Sequence, residues 1–318
     1  MTAYIIRRFV QSLFVFLFVS MTVFFAMRLL PGDPILVIMT PEEVGRVSDE
    51  RLDEIRHEYG LDRPMMVQYI DWLVHVFRGD LGNSLIYNTS VTDEIKKRLP
   101  ITLYIGLLAM IFSGILGTIL GVVSAVKRGR WLDSLVTITA NLGITVPSFW
   151  LGILLVFVFS ISLKILPVQG YTSPFSDLMM STKQLIMPVF CLAVFPLATV
   201  ARQTRSSMLE VMGQDYIRTA WAKGLKERIV ISRHALKNAF IPVMTMTGIV
   251  FRNVLGGAVI IETVFNIPGL GRLAVSGIIT HDYAFVQGVI LVMVTAVLFI
   301  NLIIDLTYGW LDPRVRYD

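Results

Sequence analysis

Residues 99–126 read LPITLYIGLLAMIFSGILGTILGVVSAV, twenty-eight positions between Arg98 and Lys127 without one charged side chain. About 20 apolar residues in helical form cross the hydrocarbon of a bilayer. A buried helix of a soluble protein rarely stays uncharged that long. Working outward, the same search finds five more stretches. Nineteen uncharged residues lie between Arg8 and Arg28, thirty between Asp133 and Lys164, eighteen between Lys183 and Arg202, and twenty-two between Asp282 and Asp305. Twenty-four residues separate Lys237 from Glu262, and only Arg252 among them is charged. The pattern predicts an all-α polytopic membrane protein with six transmembrane helices. Periodicity adds little, because helices in lipid can be apolar all round. Pro147, Pro188 and Pro196 fall inside spans, where they are expected to kink the helices.

Composition points the same way. Of 318 residues, 55% are hydrophobic and 16% charged, where a soluble domain carries about 25% charged. Mean hydropathy is +0.69. Such a chain cannot cover itself with polar surface, which excludes a soluble globular enzyme and a disordered protein. The single cysteine, Cys191, excludes a disulfide scaffold and reads as a small buried hydrophobe. Arg7 and Arg8 ahead of the first span resemble the start of a signal peptide. The run that follows is too long, and it ends in Met27-Arg28-Leu29-Leu30-Pro31 rather than a small-residue cleavage site. It is read as a retained helix.

Lys and Arg in short loops set orientation. With the N-terminus inside, the inner segments 1–8, 127–133, 202–237 and 306–318 hold two, three, eight and two basic residues, fifteen in all. The short outer loops hold three, Lys164, Lys183 and Arg272. Both termini are therefore expected inside. The long segment 31–98 carries 13 of the 23 acidic residues and only eight basic ones. The pI of 9.3 thus reflects a basic inner face suited to anionic lipid, and no nucleic-acid partner is needed. Three parts follow: residues 1–30, the N-terminal tail and first span; 31–98, an extracytoplasmic helical segment; and 99–318, a five-helix core with a cytoplasmic loop at 202–240. In the outer segment Leu52, Ile55 and Tyr59 share a helical stripe that Gly60 stops. A second amphipathic run from Pro64 passes through Tyr69, Trp72, Leu73 and Val76 to Gly79. It reads as a small cap on the membrane and, compatibly, as a docking surface for an extracytoplasmic partner.

Chemistry is sparse. The chain lacks GxxxxGK[ST], HExxH and any Cys/His cluster with metal spacing. His57, His75, His234 and His281 are scattered, and Ser276 near His281 reads as ordinary loop polarity. No catalysis, metal or cofactor is expected on this chain. An intramembrane serine protease would need Ser and His on facing spans. An ion-coupled carrier would favour paired carboxylates and an inverted repeat. Neither pattern is present.

The loop 202–240 is far longer than the ~2–8 residues of ordinary helix–helix links. Arg218 to Trp221 suit a helix, Gly224 suits its stop, and Ile229 to Ala239 suit a second helix leading into the next span. A helix–Gly–helix elbow projecting from the membrane can fit a groove on another protein and carry force to the span behind it.

Tyr216-Ile217-Arg218-Thr219-Ala220-Trp221-Ala222-Lys223-Gly224-Leu225 resembles the EAA loop of ABC-importer permeases, in the form of the dipeptide/oligopeptide/nickel group. The general pattern is Glu-Ala-Ala, three residues, Gly, nine residues, Ile-x-Leu-Pro. Ala220, Gly224 and Leu236 keep that register, while Arg218, Thr219, His234 and Lys237 depart from it as the peptide group does. Trp221 stands where Arg is common. Four further blocks and a fifth at the end of the chain extend the resemblance over nearly all of it: Leu30-Pro31-Gly32-Asp33-Pro34, Tyr59-Gly60-Leu61-Asp62-Arg63-Pro64, Gly79-Asp80-Leu81-Gly82, Phe265-Asn266-Ile267-Pro268-Gly269-Leu270-Gly271-Arg272-Leu273, and Leu311-Asp312-Pro313-Arg314-Val315-Arg316.

The resemblance implies a non-catalytic permease subunit of the bacterial inner membrane, importing short peptides. Nickel, glutathione and glycoside importers share the same blocks. It also implies a homologous second permease, two cytoplasmic ATPases that bind ATP and Mg, and an extracytoplasmic binding protein. The coupling residues would be Asp215, Tyr216, Arg218, Thr219, Ala220, Ala222, Lys223, Gly224 and Leu225, with Ala220 and Gly224 seated in an ATPase groove. Charges within spans are functional candidates, since burying one in lipid costs ~2.5–3.5 kcal/mol even on a lenient scale. Arg252, midway along the fifth span, either pairs with a neighbouring helix or lines the pore. Asp305 is expected to clamp to Arg202 or Arg205. Glu262 is expected at the outer mouth, within reach of water.

Overall fold

The computed structural model describes residues 2–29, 51, 52, 54, 57, 62–84 and 86–311, without the side chains of residues 2–5, 241, 245, 251, 252 and 305–311. The expected stripe and stop at Ile55, Tyr59 and Gly60, the block at 30–34 and most of the block at 311–316 lie outside the described residues. So do the side chains of Arg252 and Asp305.

Among the described residues, ten helices of eight residues or more follow in order: α1 (Thr2–Leu29), α2 (Met65–Phe77), α3 (Val91–Val126), α4 (Trp131–Thr145), α5 (Ser148–Leu155), α6 (Leu178–Met212), α7 (Asp215–Ala222), α8 (Leu236–Val264), α9 (Leu270–Ile279) and α10 (Tyr283–Leu311). A π-helical stretch, Val156–Ser162, extends α5, and another, Val230–Ala235, runs into α8 from the turn Glu227–Ile229. Among the described residues the sole β feature is an isolated bridge between Asn83 and Ser90. Four of these helices are long and apolar enough to cross a membrane, namely α1 over Ile6–Leu29, α3, α6, and α10 over Tyr283–Ile304. Two bent pairs raise the number to six if each counts as one span.

The third expected span is one of these pairs, and it is more than kinked. Its two halves, Trp131–Thr145 and Ser148–Ser162, meet at 106°. Val146 is extended (φ −74°, ψ 123°), as the residue before a proline prefers. Pro147, itself extended (ψ 132°), is the N-cap of the next helix, outside the intrahelical ladder, so its missing N–H costs nothing there.

The chain divides into two compact units. One comprises residues 2–101 and 268–298. There α2 is the anticipated amphipathic helix, lying on α1. Tyr69 and Trp72 each place a ring 5.5 Å from that of Phe24, and the Tyr69 hydroxyl meets Ser20 Oγ at 2.9 Å. Further along, Val91 and Ile95 of α3 pack with Leu270, Leu273 and Ala274 of α9 and with Phe285 and Val289 of α10. Asp282 organises this end. Its Oδ1 accepts the Phe285 N–H at 3.2 Å, capping α10, while Oδ2 accepts a short hydrogen bond from Ser84. Both side chains are buried. Asp282→Ala should therefore lower the unfolding free energy by about 1–3 kcal/mol. Asp282→Asn, which can still cap, should cost less. Thermal unfolding of the solubilised protein reads the difference; equal losses would contradict the capping role.

The second unit comprises residues 102–267 and 299 onward, with α6 at its centre. Glycines let helices approach it closely. A Cβ on Gly121 would fall 2.5 Å from the Ala201 carbonyl oxygen, and one on Gly143 3.1 Å from a Val194 methyl. Helix α8 buries Val254, Leu255, Ala258, Ile261 and Glu262, and its C-cap Phe265 is buried with them, a stripe at helical spacing.

Candidate functional site

The elbow begins where α6 ends. Gly213 and Gln214 turn the chain, and α7 then runs for two turns from Asp215. Asp215 stands in its first turn, where a carboxylate complements the helix dipole. The helix stops by geometry that glycine favours. Gly224 N–H bonds the Trp221 carbonyl at 2.9 Å and Leu225 N–H the Ala220 carbonyl at 3.3 Å, the paired bonds of a Schellman ending. Gly224 itself takes φ +75°, a left-handed conformation that side chains resist.

One face of α7 is anchored to its own chain. Ile217 is 0% exposed and Ala220 is also buried. They rest on a floor of Ala125 from α3, Met208 from α6, and Val230, Ala235 and Ala239 from the segment entering α8. Tyr216 Oη accepts a hydrogen bond from Asn238 Nδ2 at 2.9 Å, bracing the same contact. Ala220 was expected to face a partner groove together with Gly224; it faces inward instead. Ile217 and Ala220 are three residues apart on one helical face, and the small Ala220 lets α7 lie low on that floor.

The opposite face is open. Asp215, Arg218, Thr219, Ala222, Lys223 and Gly224 are exposed. Apart from Gly224 and its two chain neighbours, no atom of the described residues lies within 4 Å of where a Gly224 Cβ would stand. The Arg218–Asp215 pair, at 3.7 Å and largely in solvent, adds little. Trp221 remains 40% exposed, with Leu225 and Ile229 beside it in sequence and also exposed. Trp221 and Ile229 add an apolar component to the expected contact set. Their signal was available: apolar side chains in a loop otherwise rich in charge.

The intramembrane charges are arranged differently from the sequence expectation. Arg205 pairs with Asp133, through Nε to Oδ1 at 2.7 Å and a terminal amine to Oδ2 at 3.0 Å. On α6 it faces the start of α4; the expected clamp to Asp305 falls on a side chain outside the described residues. Arg202 is exposed on α6. Glu262 is not open to water. It is 1% exposed, and its Oε1 accepts a hydrogen bond from Thr102 Oγ1 at 2.6 Å. The reason is its register: Glu262 follows Leu255 and Ala258 by seven and four residues on the buried stripe of α8. Among the described residues no group of three or more His, Cys, Asp or Glu side chains could hold a metal ion.

Residues 117–317 match the family described as binding-protein-dependent transport system inner membrane component. Residues 1–106 match its N-terminal counterpart. A chain of Brucella abortus (strain 2308) is 44% identical over 319 residues, covering 100% of both chains. The dipeptide transport system permease protein DppB of Escherichia coli (strain K12) is 37% identical over 340 residues, covering 100% of this chain and 99% of that one. An inward-facing structure of the MetNI methionine ABC transporter superposes with a TM-score of 0.57 at 18% identity, over 69% of this chain and 96% of that one. That likeness is one of fold. The chain belongs to the family of binding-protein-dependent transport system inner membrane components, multi-pass permeases of the bacterial inner membrane.

Proposed function

We propose that this permease subunit imports di- and oligopeptides and is driven through the elbow at residues 215–225. The observation that carries the coupling is the two-sided build of α7, anchored by Ile217 and Ala220 and open along Asp215, Arg218, Trp221 and Leu225. The peptide substrate is supported by the description of the Escherichia coli relative as a dipeptide permease. In this reading six spans place both termini and the elbow in the cytoplasm. A homologous second permease completes the pore, and two ATPases bind ATP and Mg and press on the elbows. An extracytoplasmic binding protein delivers substrate at the opposite face. This chain breaks no bond. Its part is to convert movement of the elbow into alternating exposure of the pore.

Reconstitution of the full complex tests the reading. Labelled dialanine should enter vesicles only with both ATP and the binding protein present, while nickel, glutathione and a glucoside should not compete. Uptake of nickel or glutathione but not of dialanine would overturn the substrate assignment. Uptake driven by an ion gradient without ATP would overturn the class.

A further inference from the structure

We infer that Asp133 is a positioning residue for coupling: its carboxylate ties α3, α4 and α6 into one block, so that a push on α7 moves all three together. The inference rests on the coupling role proposed for the elbow. Asp133 is buried at the start of α4 and receives four donors. Arg205 of α6 supplies two, at 2.7 and 3.0 Å. Ser124 Oγ, near the end of α3, donates to Oδ1 at 2.5 Å. The Gly129 N–H, in the turn between α3 and α4, donates to Oδ2 at 2.9 Å.

This bracket adjoins the floor on which the elbow rests. Ser124 precedes Ala125, and Arg205 stands one helical turn before Met208; Ala125 and Met208 both lie beneath Ile217 and Ala220. On α3, Gly121 is pressed against Ala201 and Thr204 of α6. A displacement of α7 therefore reaches α3 and α6 directly. Helix α4 contributes no residue to that floor. At its far end it meets α6 through Gly143 against Val194 and Ala198, an apolar contact. The Asp133 bracket is its polar tie to the block, and α4 leads straight to the 106° break at Val146–Pro147. Through the bracket, movement of the elbow becomes movement of the broken span.

The chemistry suits positioning better than adhesion. A buried ion pair adds little net stability over apolar side chains of similar size. A bidentate guanidinium–carboxylate fork instead fixes the angle and register of the parts it joins.

The test uses the complete complex in lipid nanodiscs, with its own ATPases and with the binding protein loaded with dialanine. The reading is the ratio of stimulated to basal ATP hydrolysis per assembled complex. In Asp133→Asn this ratio should fall about tenfold. The double variant Asp133→Leu/Arg205→Met, which replaces the pair by apolar packing, should restore the amount of assembled complex but not the ratio. If Asp133→Asn does not assemble, the double variant alone decides. A wild-type ratio in Asp133→Asn, or full recovery of the ratio in the double variant, would overturn the inference and leave a structural pair. A wild-type complex that the loaded binding protein does not stimulate would instead remove the coupling role itself.

Discussion

Gly224→Val is expected to leave the subunit inserted and its outer part intact while abolishing stimulation of ATP hydrolysis and uptake together. The cost begins in the backbone. Residue 224 holds φ +75°, and a left-handed conformation costs roughly 1–2 kcal/mol for a residue with a Cβ. A β-branched side chain is worse placed still. The chain's own described atoms do not crowd the position, since none beyond the two neighbouring residues comes within 4 Å of a Cβ there. Relief of the strain would unwind the paired bonds to Ala220 and Trp221 and turn Trp221 and Leu225 away from their present directions. Gly224→Asn separates the causes, because Asn tolerates this conformation. It should retain most of the stimulation. Loss in Asn as complete as in Val would show that a closely seated partner, rather than the backbone, demands glycine. Full stimulation and uptake in Val would show that the elbow does not couple.

Gly121→Leu should have the larger structural effect, preventing accumulation of the subunit in the membrane. A Cβ at this position would stand 2.5 Å from both the Ala201 carbonyl oxygen and Thr204 Cβ, so even Gly121→Ala must push α3 from α6. Overpacking costs about 1–3 kcal/mol for modest additions. Here the obstacle includes backbone, which cannot rotate aside. Gly121→Ala is expected to assemble with a lowered unfolding temperature. Gly114→Ala, at an open position of the same helix, is its control. Equal behaviour of the two alanine variants, by yield and thermal unfolding in detergent, would contradict the close crossing.

The helical composition and the elbow were legible because their signals are local. A run such as 99–126 needs no partner to declare itself, and Gly224 after a short helical run is a stop by its own conformational freedom. What escaped were the relations between distant residues. Asp133 marks the edge of an uncharged run in the sequence, and nothing there says that Arg205, 72 positions on, will meet it. Ser84 and Asp282 are separated by 198 residues. Pro147 announces a disturbance, but a kink and a 106° reversal share the same residue. The distinction lies in whether Val146 stays helical, and its extended backbone ends α4. Glu262 is buried because its register on α8 outweighs its charge. Leu255, Ala258, Glu262 and Phe265 carry the helical spacing of a buried stripe, and that pattern was present in the sequence. The inward turn of Ala220 was likewise readable from its spacing to Ile217.

Cross-linking at the elbow tests the account most directly. Cys191 is buried, so a single exposed cysteine introduced as Leu225→Cys would dominate reaction with a short bifunctional thiol reagent. In the assembled complex it should yield one adduct, with an ATP-hydrolysing subunit carrying an engineered cysteine in its groove. The yield should change when ATP is bound, and the cross-linked complex should neither hydrolyse ATP on stimulation nor take up dialanine. A complex that transports at the wild-type rate with residue 225 fully cross-linked, or in which residue 225 reacts with no ATPase subunit, would contradict it.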